Sequence, residues 1–391
     1  MSEKKINMCF VCDAFPNRYT GASSRVYFEY INFFLIKEYP VTLIYFGEKK
    51  KEENIFKNKN IQIFKLPSAE HLIPNRFTII KKLDVYKKIE AIVKKNRCDL
   101  ILGFDIVAIS QIIKIQSIKK VGWLGDLRFL TNMYNFYYSI LENPYNLRHI
   151  FYNFYQNILL KKFYKNNLKY LDKIIVSSDS SVEELKKIKV SSEFLPYPWS
   201  ESFKIKTKQT KRPTFLFFGN LSGLGSRSSI QEIIRKIYPS MIESFGKKKF
   251  EILIGGKNFE NSFLSRINLK DFPEIKYLGF IKDIGNIASK CNAFIFPGKV
   301  PIGNRCRLLS CLSSGILLIA SKSVTLGNSF LKHNFNSLIA NNSKEFIKYM
   351  HISLEHKSKV SFLIKNGKKT FKDNYEPKQA SKKLELKILD S

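Results

Sequence analysis

Arg305 and Arg307 stand two residues apart, directly after Gly303-Asn304 and before a leucine-rich run that ends at Gly315. Fixed guanidinium charge beside a glycine, at the joint between a loop and a helix, suits an oxyanion. Helix N-termini expose unpaired N–H groups and the positive end of a dipole, and glycine lets backbone approach closely. The same chemistry is spaced differently in Gly219-Asn220-Leu221, followed by Gly223-Leu224-Gly225-Ser226-Arg227. That stretch follows the wholly apolar Phe215–Phe218 and suits a diphosphate, although it is neither a GxGxxG nor a Walker loop and also reads as a flexible turn. A third small-residue loop, Gly21-Ala22-Ser23-Ser24-Arg25, can approach an anion or a sugar, or be a plain tight turn. Asp126 ends the run Val121–Gly125, and a carboxylate there is a base for an acceptor hydroxyl, a holder of a sugar hydroxyl, or a helix N-cap.

Hydrophobic periodicity supplies the elements that would position these residues. Period-2 and short apolar runs predict strands at Ile6–Val11, Val41–Phe46, Ile61–Leu66, Leu100–Leu102, Val121–Leu124 and Ile174–Ser177. Helical spacing predicts helices at Arg25–Ile36, 83–94 and Ile106–Ile115 between them. Alternating strands and helices imply parallel βαβ units. A second series opens at Thr214, with strands at Phe250–Ile254, Ile275–Leu278, Phe294–Phe296, Ile316–Ala320 and Ser337–Ala340. Its first helix carries Ile230, Ile233, Ile234, Ile237 and Met241 on one stripe. Ser228 with Gln231, or Ser229 with Glu232, would cap that helix, and Pro239 would kink or split it. The expected organisation is an N-terminal domain over residues 1–195, a linker over 196–211, a second domain over 212–375, and a terminal helix over 376–391 that packs back on the first domain. Ligands in such open sheets bind beyond the carboxyl ends of the strands, here in a cleft that the two domains face.

Composition narrows the function classes. The chain of 391 residues is 44% hydrophobic, enough for two packed cores. No run reaches the roughly 18 apolar residues of a membrane span, and the start shows no signal-peptide pattern, so a cytoplasmic protein, soluble or peripheral to the membrane, is expected. A formal charge of +33 admits a nucleic acid, an anionic membrane surface, or simply a lysine-loaded exterior. The lysines are spread along the chain, and no nucleic-acid motif accompanies them. The run from Tyr134 to Lys173 interleaves aromatics with lysines at helical spacing. It reads as a helix whose aromatics belong to the core, or as an interfacial helix lying at lipid headgroups. Cys9 and Cys12 form a C-x-x-C without a second pair or a histidine cluster, which favours buried thiols over a metal site.

The order of these motifs resembles the retaining glycosyltransferases of family four, which have the GT-B fold. The resemblance rests on G-A-S-S-R, D-K-I-I-V-S-S, F-L-F-F-G-N-L, P-E-I-K-Y-L-G-F-I-K-D-I and V-P-I-G-N-R-C-R-L-L-S-C-L-S-S-G-I-L-L-I-A-S, running nearly end to end. It implies an α/β protein of two doubly wound Rossmann-like domains facing a central cleft. Its substrates would be a nucleotide-diphospho-sugar donor and a glycan or lipid-linked acceptor, with no other cofactor and no metal, since no Asp-x-Asp stands at either phosphate loop. Gly219, Asn220, Arg227, Gly303, Asn304 and Ser310 would hold the donor. Arg305 and Arg307 would stabilise the leaving diphosphate, Arg307 standing where the family has lysine. Gly21, Ser23 and Arg25 would form the acceptor-side loop, and Asp126 takes the place of an acceptor-side histidine. The chain departs from the family where two glutamates eight residues apart contact the transferred sugar and the ribose: Ile302 and Ser310 stand there. A non-catalytic sugar-nucleotide or glycan binder, a nucleic-acid binder and a GT-B epimerase are the alternative classes.

Overall fold

The computed structural model describes residues 5–19, 21–47, 55–56, 60–67, 85–116, 118–142, 145, 147–205 and 212–389. The expected linker residues 206–211 and the first two residues of the 83–94 helix lie outside these. The chain divides into two compact units, residues 1–200 with 376–391, and residues 201–375.

The first unit runs β1 (Met8–Cys12), α1 (Ala22–Ile36), β2 (Val41–Phe46), β3 (Ile61–Leu66), α2 (Val85–Lys95), β4 (Leu100–Phe104), α3 (Asp105–Ile112) and β5 (Lys119–Leu124). It continues with α4 (Arg128–Glu142), α5 (Leu147–Asn167), β6 (Lys173–Val176), α6 (Asp179–Lys187) and β7 (Glu193–Phe194). The strands pair in parallel in the order β3-β2-β1-β4-β5-β6-β7. Beginning at β1, the winding goes one way to β3 and then the other way from β4, so the strand order reverses between β1 and β4. The register there pairs Met8 with Leu100 and Cys12 with Phe104. Both strands are buried along their whole length, which places Cys9 and Cys12 in the interior on opposite faces of the sheet. Phe104 stacks on Tyr27 of α1, ring centroids 4.5 Å apart, and on Phe10 of β1 at 6.1 Å.

The second unit repeats the plan. It contains β8 (Thr214–Asn220), α7 (Leu224–Glu232), a π-helical turn (Ile233–Ile237), α8 (Tyr238–Phe245), β9 (Glu251–Lys257), β10 (Ile275–Tyr277) and α9 (Ile284–Ala288). Then come β11 (Ala293–Phe296), α10 (Cys306–Ser314), β12 (Leu318–Ser321), α11 (Lys322–Thr325), β13 (Leu338–Ala340), α12 (Ser343–Glu355) and α13 (Lys357–Asn374). The sheet is again parallel, in the order β10-β9-β8-β11-β12-β13, and reverses between β8 and β11. The chain's last helix, α14 (Pro377–Leu389), belongs to the first unit. There Glu385 accepts from Lys37 Nζ and from Tyr39 Oη at 2.8 and 2.9 Å, and Lys119 Nζ reaches the Ile388 carbonyl at 2.9 Å.

Three local expectations meet the structure with different outcomes. The capping boxes at Ser228 and Ser229 do not form, because α7 starts a turn earlier, with Gly223 at its N-cap. Ser228 Oγ instead accepts the Lys299 N–H at 2.8 Å, and Ser229 Oγ donates to the Gly225 carbonyl at 2.9 Å. The long helix does split before Pro239: Tyr238 N–H bonds to Ile233 O, five residues back, because proline brings no N–H to the Arg235 carbonyl and its ring crowds it. The aromatic-lysine run forms two helices, and only part of its aromatics enter the core: Tyr138 and Tyr164 are buried, whereas Tyr137, Phe151 and Phe154 are exposed.

Candidate functional site

Open α/β sheets bind ligands at the point where strand order reverses, beyond the carboxyl ends of the two strands. Each unit has one such point, and both are furnished with chemistry.

In the second unit the reversal is flanked by the loop after β8 and the loop after β11, and these are the two stretches in which the sequence places Gly219–Arg227 and Gly303–Arg307. The two loops interlock. Arg307, on the first turn of α10, donates from Nη1 to the Phe218 carbonyl at 2.7 Å, and its guanidinium lies 4.6 Å from the Phe296 ring centroid and 5.3 Å from that of Phe217. A Cβ on Gly219, which has φ +151°, would collide with that guanidinium. Arg305 sits at the α10 N-cap and donates from Nη2 to the Val300 carbonyl at 3.1 Å. A Cβ on Gly225 would press on its guanidinium at 3.0 Å. Each arginine thus requires a glycine opposite it, and the pairs fix the β8–α7 loop against α10. Burial pushes the Arg307 pKa down to about 10, so the group stays charged at neutral pH.

The remaining sequence candidates of this unit take distinct places. Asn220 Oδ1 accepts from Ser222 Oγ and Asn258 Nδ2, both at 2.9 Å. Arg227 lies half-buried on the first turn of α7, whose N-cap, Gly223, makes no side-chain cap bond. Gly303 has φ +66°, a left-handed conformation that favours glycine. Asn304 is buried, donating to Tyr375 Oη at 3.3 Å and accepting from Asn328 Nδ2 at 3.2 Å, which holds the loop inside its own unit. Ile302 is buried. Beside Gly219 and Asn220, a pocket of about 270 Å³ is walled by Phe218, Gly255, Gly256, Phe280 and Ile281.

Ser310 is fully buried and donates to Glu201 Oε2 at 2.6 Å. Ser313 donates to the Glu201 carbonyl at 2.7 Å, and Ser314 Oγ accepts the Phe203 N–H at 2.6 Å. Three serines on one side of α10 therefore dock residues 201–203 and bring a carboxylate to Ser310. The sequence reading missed Glu201, because it lies in the Pro-containing connector and nothing in its own neighbourhood marks it.

In the first unit the reversal carries the opposite charge. Asp13 follows β1 and Asp105 follows β4, one residue beyond the Cys12–Phe104 pair. Asp13 Oδ1 accepts the Ala108 N–H of α3 at 2.7 Å, and Arg128 Nη2 stands 3.4 Å from Oδ2. Asp105 Oδ1 accepts the Gly125 N–H at 2.9 Å, and its Oδ2 accepts a short hydrogen bond from Tyr27 Oη. The φ of Asp105 is +63°, a strained backbone of the kind that collects at functional sites. Burial, then the charge of Asp105, raises the Asp13 pKa to about 7, and burial also raises that of Asp105 against the opposing hydrogen bond from Tyr27. Two carboxylates so placed resist ionising together. Sequence reasoning missed both, although each directly follows an apolar strand, the very signal that selected Asp126.

Asp126 is exposed in the turn two residues before α4, next to Gly125, and its charge bears on Asp105. Gly21, with φ +37°, is the N-cap of α1, and Ser23 is exposed on the first turn. Arg25 donates to the Arg18 carbonyl at 2.9 Å and lies 4.8 Å from the Trp199 ring centroid.

No family model and no curated protein matches this sequence. Solved structures do match the fold. Sucrose-phosphate synthase from Thermosynechococcus elongatus superposes with a TM-score of 0.72 at 12% identity, over 98% of each chain. HepE of Anabaena in complex with UDP gives 0.62 at 13% identity, over 99% of this chain and 100% of that one. The apo form of the lipopolysaccharide outer core galactosyltransferase WaaB gives 0.65 at 13% identity, over 98% and 99%. The fold is GT-B. In GT-B terms the chain is two doubly wound Rossmann-like units, each with its strand-order reversal as described, and identities this low carry the architecture and not the activity.

Proposed function

We propose that the protein is a glycosyltransferase that moves a sugar from a nucleotide-diphospho-sugar to a hydroxyl of a glycan or lipid-linked acceptor, with retention. The observation that carries this reading is the interlock at the second reversal, where two glycines, two guanidiniums and the helix N-terminus of α7 meet beside the pocket at Gly255-Gly256. Backbone N–H groups at a helix start and fixed positive charge match a diphosphate. A largely apolar pocket of about 270 Å³ suits a nucleobase. Arg227, Gly303 and Asn220 border the same loops, and Glu201, held in place by the buried Ser310, offers a carboxylate for ribose. The crystallised complexes of HepE with UDP and with UDP-glucose support a donor of that class.

In this mechanism Arg305 and Arg307 stabilise the charge that develops on the departing diphosphate, without a metal ion. One well-placed donor of this kind contributes about 2.7–4 kcal/mol. The acceptor hydroxyl is handled at the first reversal, where the Asp13 and Asp105 carboxyls, both raised in pKa, resist ionising together and Asp126 lies exposed beside them. WaaB, named as a lipopolysaccharide galactosyltransferase, supports a place in surface polysaccharide or lipopolysaccharide synthesis, at the inner face of the membrane. The buried Ile302, in the place of a carboxylate that would contact the transferred sugar, favours a second reading, a non-catalytic sugar-nucleotide binder.

A thermal-shift panel of nucleoside diphosphates and sugar nucleotides, followed by a hydrolysis and transfer assay on the best ligand, tests both. A ligand-specific shift with turnover is expected. A shift without turnover leaves the binder, and no shift by any nucleotide overturns the donor site.

A further inference from the structure

The hairpin of α4 and α5 is built inside out at its far end. On α5, Asn153 and Gln156 are buried, 5% and 3% exposed, while Phe151 is 67% and Phe154 50% exposed. Leu147, Phe151, Phe154 and Ile158 follow each other at intervals of four, three and four residues, which puts them on one helical stripe. The stripe continues into the exposed Lys161, Lys162 and Lys165. On α4 the exposed Met133, Tyr137, Ile140 and Leu141 make a second stripe, and Tyr145, 92% exposed, lies between the helices. Soluble surfaces rarely gather this much apolar area in one place, and such a patch marks an interaction site. Among the described residues no helix is long and apolar enough to cross a membrane.

We propose that this hairpin is a membrane-docking face that lays its aromatic end into the headgroup layer of an anionic lipid surface, with the lysines of α5 on the lipid phosphates. Apolar rings at the tip and ammonium groups at the base are the arrangement of an interfacial helix. Charge decides between occupants. A chain of +33 repels a second copy of itself, whereas each basic residue near an anionic leaflet adds to the attraction. The inference deepens the membrane location proposed above and is independent of the donor site, since lipid binding needs no nucleotide.

The test is co-flotation of the full chain with phosphatidylcholine vesicles, with and without about 30% phosphatidylglycerol. Wild type is expected to float with the anionic vesicles only, and less so as salt rises. The combined substitution Leu147→Ser, Phe151→Ser and Ile158→Ser is expected to bind at least about tenfold more weakly with a melting temperature close to wild type, because about half or more of each of these side chains is already in solvent. Lys161→Gln with Lys162→Gln and Lys165→Gln should flatten the salt dependence. Equal binding to neutral and anionic vesicles, no binding to either, or a serine variant that binds as wild type does would overturn the proposal. So would a dimer in sedimentation that the serine variant dissolves while vesicles stay bare. Nucleotide shifts measured on the same variants stay at the wild-type value, which separates failure here from failure of the donor site.

Discussion

The two sheets reverse strand order at equivalent places, yet one reversal is lined by carboxylates and the other by guanidiniums. At the first, Asp13 and Asp105 extend the paired ends of β1 and β4; at the second, Arg307 closes over Gly219 at the end of β8 and Arg305 over Gly225 at the start of α7. Topology alone therefore creates two equivalent openings, and the side chains that the segments following the strands bring there decide what each can hold. A carboxylate-lined opening disfavours a diphosphate and suits a hydroxyl that must lose a proton. A doubly positive one does the reverse.

The contrast is broken most severely at Arg307. Arg307→Ala removes a charge, a bond to the Phe218 carbonyl and the wall behind Gly219, and turnover should fall roughly 10²–10³-fold in steady-state kinetics. Gly219→Ala should approach that effect without touching any charge, because its Cβ needs the space of the guanidinium. If the alanine variant at 219 binds nucleotide normally, the interlock is not what shapes the site. On the opposite side, Asp105→Asn weakens charge-assisted bonds from Tyr27 and Gly125, each worth about 1.5–3 kcal/mol, so turnover should drop roughly ten- to hundredfold. Its nucleotide dissociation constant should stay near wild type, and a parallel loss of nucleotide affinity would erase the division of labour.

A pH series sharpens the same contrast through stability. The Asp13 carboxyl holds its proton up to about pH 7 in the folded chain but only to the ordinary carboxylate range when unfolded. The folded state binds more protons across that window, so this contribution is complete below about pH 4 and is lost as pH rises to about 7. The loss is about 1.4 kcal/mol for each pH unit crossed. Asp13→Asn should flatten that slope in denaturant titrations, and an unchanged slope would place the proton elsewhere. The smallest effect is expected at Glu201: Glu201→Ala should weaken nucleotide binding only about three- to tenfold, more for ribo- than for deoxyribonucleotides.

Most of the architecture is written locally. β2 and β3 end where their apolar runs end, and every other predicted strand shifts by three residues or fewer, because each is a short apolar run closed by turn residues. Gly219, Gly303, Arg305 and Arg307 were legible for the same reason: their chemistry and spacing lie within one loop and one helix turn. The carboxylates were not. Asp105 lies between the predicted strand and helix, and a left-handed backbone at an aspartate leaves no trace in periodicity. Its partnership with Asp13, ninety-two positions away, exists only once β1 and β4 pair. Glu201 needed Ser310 on another element to become visible.

The return of α14 to the first unit bears on how the chain is made. Residues 201–375 leave the ribosome between the body of that unit and the helix that completes it. At typical elongation rates of 5–20 residues per second, the site that Ala380, Leu384 and Ile388 will cover waits roughly 10–40 s for its last element. During synthesis the second unit can therefore close before the first, although its sequence comes later. A message cut short after residue 375 would release a chain whose older half is the unfinished one.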